Sequence, residues 1–272
     1  MLKTRVITAL FIAAVTFAVI FLTSAWGFRL SMAVLWMIGS WEFTRLAGLG
    51  ARTRWLLFLI QAALIGLMMR YWSGIAGHGQ AFLVAACLSW CVMFLRLLSF
   101  RTGDQPGLNY RLLSFFCALA SISFAWYALG WLREQPQGEY LVLLLIFIIW
   151  AADTGAYFAG RHFGRNKLAP AISPGKTREG LFGGAVLAVL VALVLTHLTL
   201  GLPSTPGWLL LVAVVTVFAA AASDLFISVH KRTVGLKDTG RLLPGHGGVL
   251  DRFDSLLAGA PFFALGILLL EM

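Results

Sequence analysis

Tyr140-Leu-Val-Leu-Leu-Leu-Ile-Phe-Ile-Ile-Trp-Ala-Ala-Asp-Thr-Gly-Ala-Tyr-Phe-Ala-Gly160 contains a single charged residue, Asp153. A helix that crosses a bilayer needs about 20 mainly apolar residues. This run meets that length, and it predicts a transmembrane helix with one carboxylate near its end. The pattern repeats along the chain. Apolar stretches at 6–22, 28–41, 55–70, 80–95, 112–132, 181–200, 208–227 and 255–270 bring the expected number of spans to nine. The stretch 28–41 is short and ends beside Trp41-Glu42. Trp26, Trp41, Trp55, Tyr71, Trp72, Trp131, Tyr140 and Trp208 fall near the ends of these runs. Amphipathic rings favour that interfacial position.

Composition agrees. Of 272 residues, 60% are hydrophobic and 12% charged, with a mean hydropathy of +0.88. Soluble domains carry about 25% charged residues. So much apolar surface excludes a single soluble core. The expected fold class is an all-α polytopic membrane protein. Five spans are expected within residues 1–135 and four within 136–272. Lys3 and Arg5 before an apolar run resemble a signal peptide, but the further runs favour an uncleaved first helix. No internal repeat is visible, which weighs against the many transporters built from repeats.

Nine spans place the termini on opposite sides, and the loops then divide sharply by charge. One set holds 18 of the 21 Lys and Arg residues, and the other holds only Arg29, Arg70 and Arg133. Cytoplasmic loops carry the excess of Lys and Arg. The N-terminus is therefore expected inside and the C-terminus outside. The formal charge of +10 has the same origin and does not require a nucleic-acid partner. Cys87, Cys91 and Cys117 lack metal or disulfide spacing, so each is expected to be a small buried hydrophobe.

Two inside loops, 161–180 and 228–254, follow spans that carry a carboxylate at the cytoplasmic end, Asp153 and Asp224. A charge within a span is costly and marks a functional candidate. Ser223–Asp254 carries Asp224, Asp238, Asp251 and Asp254 together with Lys231, Arg232, Lys237, Arg241 and Arg252. Glycines stand among them, most densely in Pro244-Gly245-His246-Gly247-Gly248. Such a turn lets backbone approach a ligand closely. Asp251 and Asp254 are three apart and share a helix face. Carboxylates suit Mg²⁺, which binds through one or two of them plus substrate phosphates. Basic side chains neutralise the remaining phosphate oxygens. Acids for a metal, bases for phosphate and glycines for close approach describe phosphoryl or nucleotidyl transfer.

The other loop offers Ser173-Pro174-Gly175-Lys176-Thr177-Arg178-Glu179-Gly180 directly before a span. It is not a Walker A motif, because Pro170 stands where that motif needs glycine. Hydroxyls, amides and cations at a helix N-terminus still suit an anion. Ser173, Lys176, Thr177 and Arg178 are therefore expected around a phosphate. His78, His162 and His197 are isolated and expected to be structural. His230, beside Lys231, is expected at the surface, and His246 is expected to donate to a phosphate. Glu42 is expected to form a local pair with Arg45.

The stretch from Ser228 to Asp254 resembles the signature of phosphatidate cytidylyltransferases. The matching residues are Ser228, Lys231-Arg232, Lys237-Asp238, Pro244 to Gly248, and Asp251-Arg252-Phe253-Asp254. Asp153-Thr154-Gly155-Ala156-Tyr157, Ser173–Gly180 and Trp41-Glu42-Phe43 also look like features of that family. The resemblance implies an enzyme that makes CDP-diacylglycerol and pyrophosphate from CTP and phosphatidate with a divalent cation. It implies a polar cavity open to the cytoplasm of a bacterial inner membrane. By motif position, Asp224 and Asp251 would hold the metal. Lys237, Asp238, His246, Arg252 and Asp254 would complete the catalytic group, with Asp153, Lys231 and Arg232 beside the phosphates. A homodimer is a further expectation. Two positions depart from the family pattern: Ile227 stands where Glu is frequent and Ser223 where Gly is usual. The alternatives are a paralogue acting on another lipid phosphate and an anion transporter.

Overall fold

The structure is a computed structural model that describes residues 2–99, 106–200, 206–245 and 247–271. Lipid offers no hydrogen bonds, so a spanning backbone must satisfy itself, and helices do so within one segment. The first half forms α1 (Leu2–Leu22), α2 (Ala25–Leu46), α3 (Ala51–Arg70), a short α4 (Trp72–Ala76), α5 (Gly79–Ser99) and α6 (Leu108–Glu134). The second half forms α7 (Gly138–Phe163), α8 (Arg178–Leu195), α9 (Pro206–Thr233) and α10 (Leu250–Glu271). Six helical segments among the described residues are long and apolar enough to cross a membrane. They lie in α3, α6, α7, α8 with its extension to Leu198, α9 and α10. Val6–Leu22 and Gly79–Leu95 are shorter apolar helices. The protein is an all-α polytopic membrane protein.

One local element departs from the helical expectation. Lys167–Ala169 (β1) and Ser173–Thr177 (β2) pair antiparallel. Ser173 to Thr177 are thus a strand rather than a helix start, and α8 begins at Arg178. The Thr177 hydroxyl caps α8 by accepting from Gly180 N at 3.1 Å.

Small residues let helices of the second half approach closely. An added Cβ at Gly155 of α7 would lie 2.9 Å from Gly183 O and 3.0 Å from Gly184 Cα on α8. Both obstacles are backbone and cannot yield. Small-residue seams of this kind are how membrane helices gain packing contacts without a hydrophobic drive between them. The result is a firm α7–α8 pair beside the α9–α10 pair. Outward faces carry apolar side chains such as Leu56 and Leu59 of α3, Val92 and Leu95 of α5, and Val186 and Leu190 of α8. Cys91 also faces outward, contrary to its expected burial, whereas Cys87 and Cys117 are buried.

The two ends of the bundle differ in charge management. At one end, Arg29 pairs with Glu134, and Arg133 pairs with Glu139 at 2.7 Å. Trp72 Nε1 donates to Glu134 at 2.6 Å, and the Arg29 guanidinium stacks 4.5 Å from the Trp72 ring centre. That end largely neutralises its own charges. The other end gathers the start of α6, the ends of α2 and α9, the hairpin and the start of α10. Tyr110 Oη donates to Leu46 O at 2.7 Å, and Arg232 Nε donates to Ile172 O at 3.2 Å. Among the described residues, the hairpin loop therefore meets the end of α9, and the start of α6 meets the end of α2.

Candidate active site

Helix α9 supplies one wall of the site. Asp224, Ser228 and Lys231 are spaced by four and three residues, so they share a face. Ser228 Oγ donates to Asp224 Oδ1 at 3.3 Å. Lys176, delivered by β2, reaches Asp224 Oδ2 at 2.5 Å. The loop 161–180 therefore meets the span that carries Asp224 side chain to side chain. Asp153 of α7 and Asp254 of α10 both lie within electrostatic reach of Asp224.

The first turn of α10 supplies the second wall. Asp251 Oδ1 accepts from Lys231 Nζ at 2.8 Å. Asp251 Oδ2 accepts from Thr239 N at 2.8 Å, Thr239 Oγ1 at 3.0 Å and Gly248 N at 3.0 Å. The side chains of Lys231 and Asp251 are 11% and 6% exposed, so this pair is more enclosed than the Lys176–Asp224 pair. The loop closes through a Leu243–Gly247 bridge. Gly247 takes φ +86°, a conformation that glycine adopts without steric cost.

Two cavities meet at Asp153 and Asp224. The larger, about 490 Å³, is lined by Lys231, Asp238, Asp251, Arg252 and Asp254. Apolar residues line it as well, among them Ala9 and Ile12 of α1 and Ile146, Ile149 and Trp150 of α7. The smaller, about 230 Å³, is bounded by Tyr157, Lys176, Gly180 and Leu181. A third hollow, about 640 Å³, is walled by Lys237, Arg241, Gly247 and Arg252, with Asp238 on its border with the larger cavity. The arrangement can hold a cation between carboxylates, screen anionic groups with lysine and arginine, and lodge apolar chain alongside.

The expected site residues are distributed unevenly over this geometry. Asp153, Asp224, Lys231, Asp238, Asp251, Arg252 and Asp254 converge on the large cavity. Lys176 and Thr177 border the smaller one, and Lys237 opens on the third. Ser173 sits in the hairpin opposite Ala169, and the exposed Arg178 begins α8 with its backbone N bonded to Asn166 O at 2.9 Å. Neither lines these cavities. Arg232 ties carbonyls of Ile172 and Leu236, so it braces the two loops against each other. His246 lies outside the described residues.

Two further expectations are corrected here. His230 is not at the surface: it is fully buried, with Nδ1 2.9 Å from Phe226 O and Nε2 3.1 Å from Ser114 Oγ. Successive helix positions are about 100° apart at 3.6 residues per turn, so a charged neighbour does not carry His230 outward. Glu42 does not form a local pair with Arg45. It is buried, and it accepts from Thr239 Oγ1, Val249 N and Leu250 N at 2.8, 3.0 and 2.8 Å. The two family departures fall in packed interior. Ile227 is fully buried in the apolar core, and the buried Ser223 hydroxyl donates to the Asp254 carbonyl. Glu42 and Thr239 are the residues whose roles sequence reasoning misses.

No group of three or more His, Cys, Asp or Glu side chains forms a ready metal cage among the described residues. The donor set still fits a hard cation that keeps waters and phosphate ligands. Asp224 is part-exposed to both cavities. Asp251 Oδ2 takes the Thr239 and Gly248 amides, with the Thr239 hydroxyl, whose one proton it shares with Glu42, 3.0 Å away, while Oδ1 takes a single bond, from Lys231.

Comparison with known proteins agrees with the motif. Residues 3–270 match the model of the Cytidylyltransferase family. A phosphatidate cytidylyltransferase of Haemophilus influenzae is 33% identical over 97% of this chain and 98% of its own length. One of Pseudomonas aeruginosa is 36% identical over 97% of this chain and 96% of its own. One of Staphylococcus epidermidis is 42% identical over a shorter region, 57% of this chain and 59% of its own. With the family model spanning nearly every residue and two relatives matched over almost their whole length, the chain belongs to the cytidylyltransferase family.

Proposed function

We propose that this protein is a phosphatidate cytidylyltransferase that converts CTP and phosphatidate to CDP-diacylglycerol and pyrophosphate. The observation that carries the assignment is the mixed lining of the cavity. Its carboxylates and cations suit nucleotide and phosphate, and its apolar residues from α1 and α7 suit the acyl part of a lipid. The full-length relatives named for this activity support the same substrates.

In the proposed reaction, a phosphate oxygen of phosphatidate attacks the α-phosphorus of CTP. A new P–O bond forms, and the bond to the β-phosphate oxygen breaks. Pyrophosphate departs with that electron pair. A phosphate monoester has its second pKa near about 6, so the attacking oxygen is largely ionised at neutral pH. No strong general base is needed. Asp224 and Asp251 would hold Mg²⁺, which supplies charge neutralisation on the phosphates. Lys176, Lys231, Lys237 and Arg252 screen the two anionic reactants, which would otherwise repel each other. Asp153 lies with Asp224 where the two cavities meet, and Asp254 lines the larger of them. The test is the purified protein in detergent with radiolabelled CTP and phosphatidate. Label is expected in a chloroform-soluble product with CTP and not with ATP, and equal labelling from both sinks the cytidylyl assignment.

We also propose nine spans, an inside N-terminus and a cytoplasmic active site. Support comes from the lysines and arginines at the site and the paired, near-neutral opposite end. The check uses a variant with its three cysteines removed. A cysteine at Gly175 should react with a membrane-impermeant maleimide in inside-out vesicles only. A cysteine at Pro136 should react in right-side-out cells only, and the reverse pattern inverts the topology.

A further inference from the structure

The loop that carries Asp251 is held from the other half of the chain. Glu42 of α2 is 5% exposed and makes no ion pair among the described residues. Its Oε1 accepts from Val249 N at 3.0 Å, and its Oε2 accepts from Leu250 N at 2.8 Å. Those amides open α10, where orphan N–H groups and the positive end of the helix dipole favour a carboxylate. Glu42 thus caps a helix to which it is not connected. Glu42 Oε2 also accepts from Thr239 Oγ1 at 2.8 Å, and that same hydroxyl lies 3.0 Å from Asp251 Oδ2. One fully buried hydroxyl therefore joins the two carboxylates. The loop backbone is moulded on Glu42: a Cβ at Gly240 or Gly248 would collide with its carboxylate oxygens. Both ends of the segment 239–250 end on this one side chain, and Asp251 follows directly. Glu42 itself does not line the cavity shared by Asp224 and Asp251.

The geometry points to Glu42 as a positioning residue that sets the place of Asp251 through Thr239 and the first turn of α10. This inference rests on the proposed role of Asp251 in the reaction. Glu42→Gln keeps the size but offers one oxygen, so an NH₂ group must face one of the donors. Thr239→Val removes the hydroxyl link and leaves Glu42 intact. Supporting groups behind ligand side chains are worth about 10–100-fold in activity or affinity. Each variant is expected to lower kcat by about 10–100-fold per folded molecule, with KM for CTP little changed. Because both act on one element, the double variant should be no worse than the poorer single one. In Glu42→Gln protein without nucleotide or metal, amide exchange across residues 239–250 should accelerate.

Wild-type kcat in both single variants, or losses that multiply in the double variant, would overturn the inference and leave Glu42 a structural cap. Where Glu42→Gln does not yield folded protein, Thr239→Val decides alone: a lowered kcat supports the link and a wild-type kcat refutes it. Asp251→Asn separates the two levels. If it is inactive while Glu42→Gln and Thr239→Val turn over normally, only the positioning role falls. If Asp251→Asn is itself active, the role of Asp251 falls and the positioning role falls with it.

Discussion

Asp251→Ala is expected to abolish turnover and to destabilise the fold. The substitution strands Lys231, whose side chain is 11% exposed. Removing one partner of a fully buried ion pair typically costs about 3–5 kcal/mol, and this partly exposed pair is expected to cost less. It also orphans the Thr239 and Gly248 amides, each bonded to Asp251 within 3.0 Å. A buried donor left unsatisfied costs about 1–3 kcal/mol. These contributions share partners and do not add, but each has the same sign. Loss of an electrostatic group in a preorganised site lowers kcat by about 10²–10³-fold. Asp251→Asn keeps the shape and part of the bonding, so it should lose the activity and less of the stability. Scanning fluorimetry in detergent and turnover per folded molecule measure the two effects. Undiminished turnover in Asp251→Ala removes this carboxylate from the chemistry.

Asp224→Asn should give the opposite balance, a large loss of rate with little loss of stability. Its partner Lys176 lies at 2.5 Å, but the two side chains are 27% and 31% exposed. Open ion pairs contribute only about 0–1 kcal/mol. Asparagine can still accept from Ser228, so the packing of α9 survives. The charge at the junction of the two cavities does not survive. Turnover is expected to fall by about 10²–10³-fold while the melting temperature moves little. A Lys176→Met variant should be impaired as well, and the double variant should fall short of the product of the two losses, because the groups are in contact. A large drop in melting temperature with normal turnover in Asp224→Asn would make the pair a structural clasp. The contrast between Asp224 and Asp251 is itself informative: two carboxylates of one site differ in what they support because they differ in burial.

Part of the site is legible in the amino-acid sequence. Asp224, Asp251 and Asp254 stand out because charge is expensive near lipid and because glycine and lysine accompany them. Asp251 and Asp254 do lie near the start of α10 and line the same cavity. Lys176 stands out in the sequence by its company, although its strand does not. Arg232 and Arg178 carry the same charge signal as Lys231, yet the fold uses Arg232 as a brace between carbonyls and leaves Arg178 outside the cavities. A positive-inside bias acts on whole loops, so it cannot separate a ligand-facing cation from a strut.

Local sequence is enough to indicate a helical membrane protein and to single out two loops and the adjoining span ends as its candidate site. Apolar length and charge placement are local quantities, and the membrane turns them directly into spans. Which span ends meet is a matter of tertiary packing alone. Thr239 and Glu42 are 197 residues apart, and a carboxylate three positions before an arginine looks locally satisfied. Helix packing instead turns Glu42 into the bundle, where the free amides of α10 and the Thr239 hydroxyl are its partners. Such a bond depends on how helices are rotated and stacked, which no single stretch of sequence encodes.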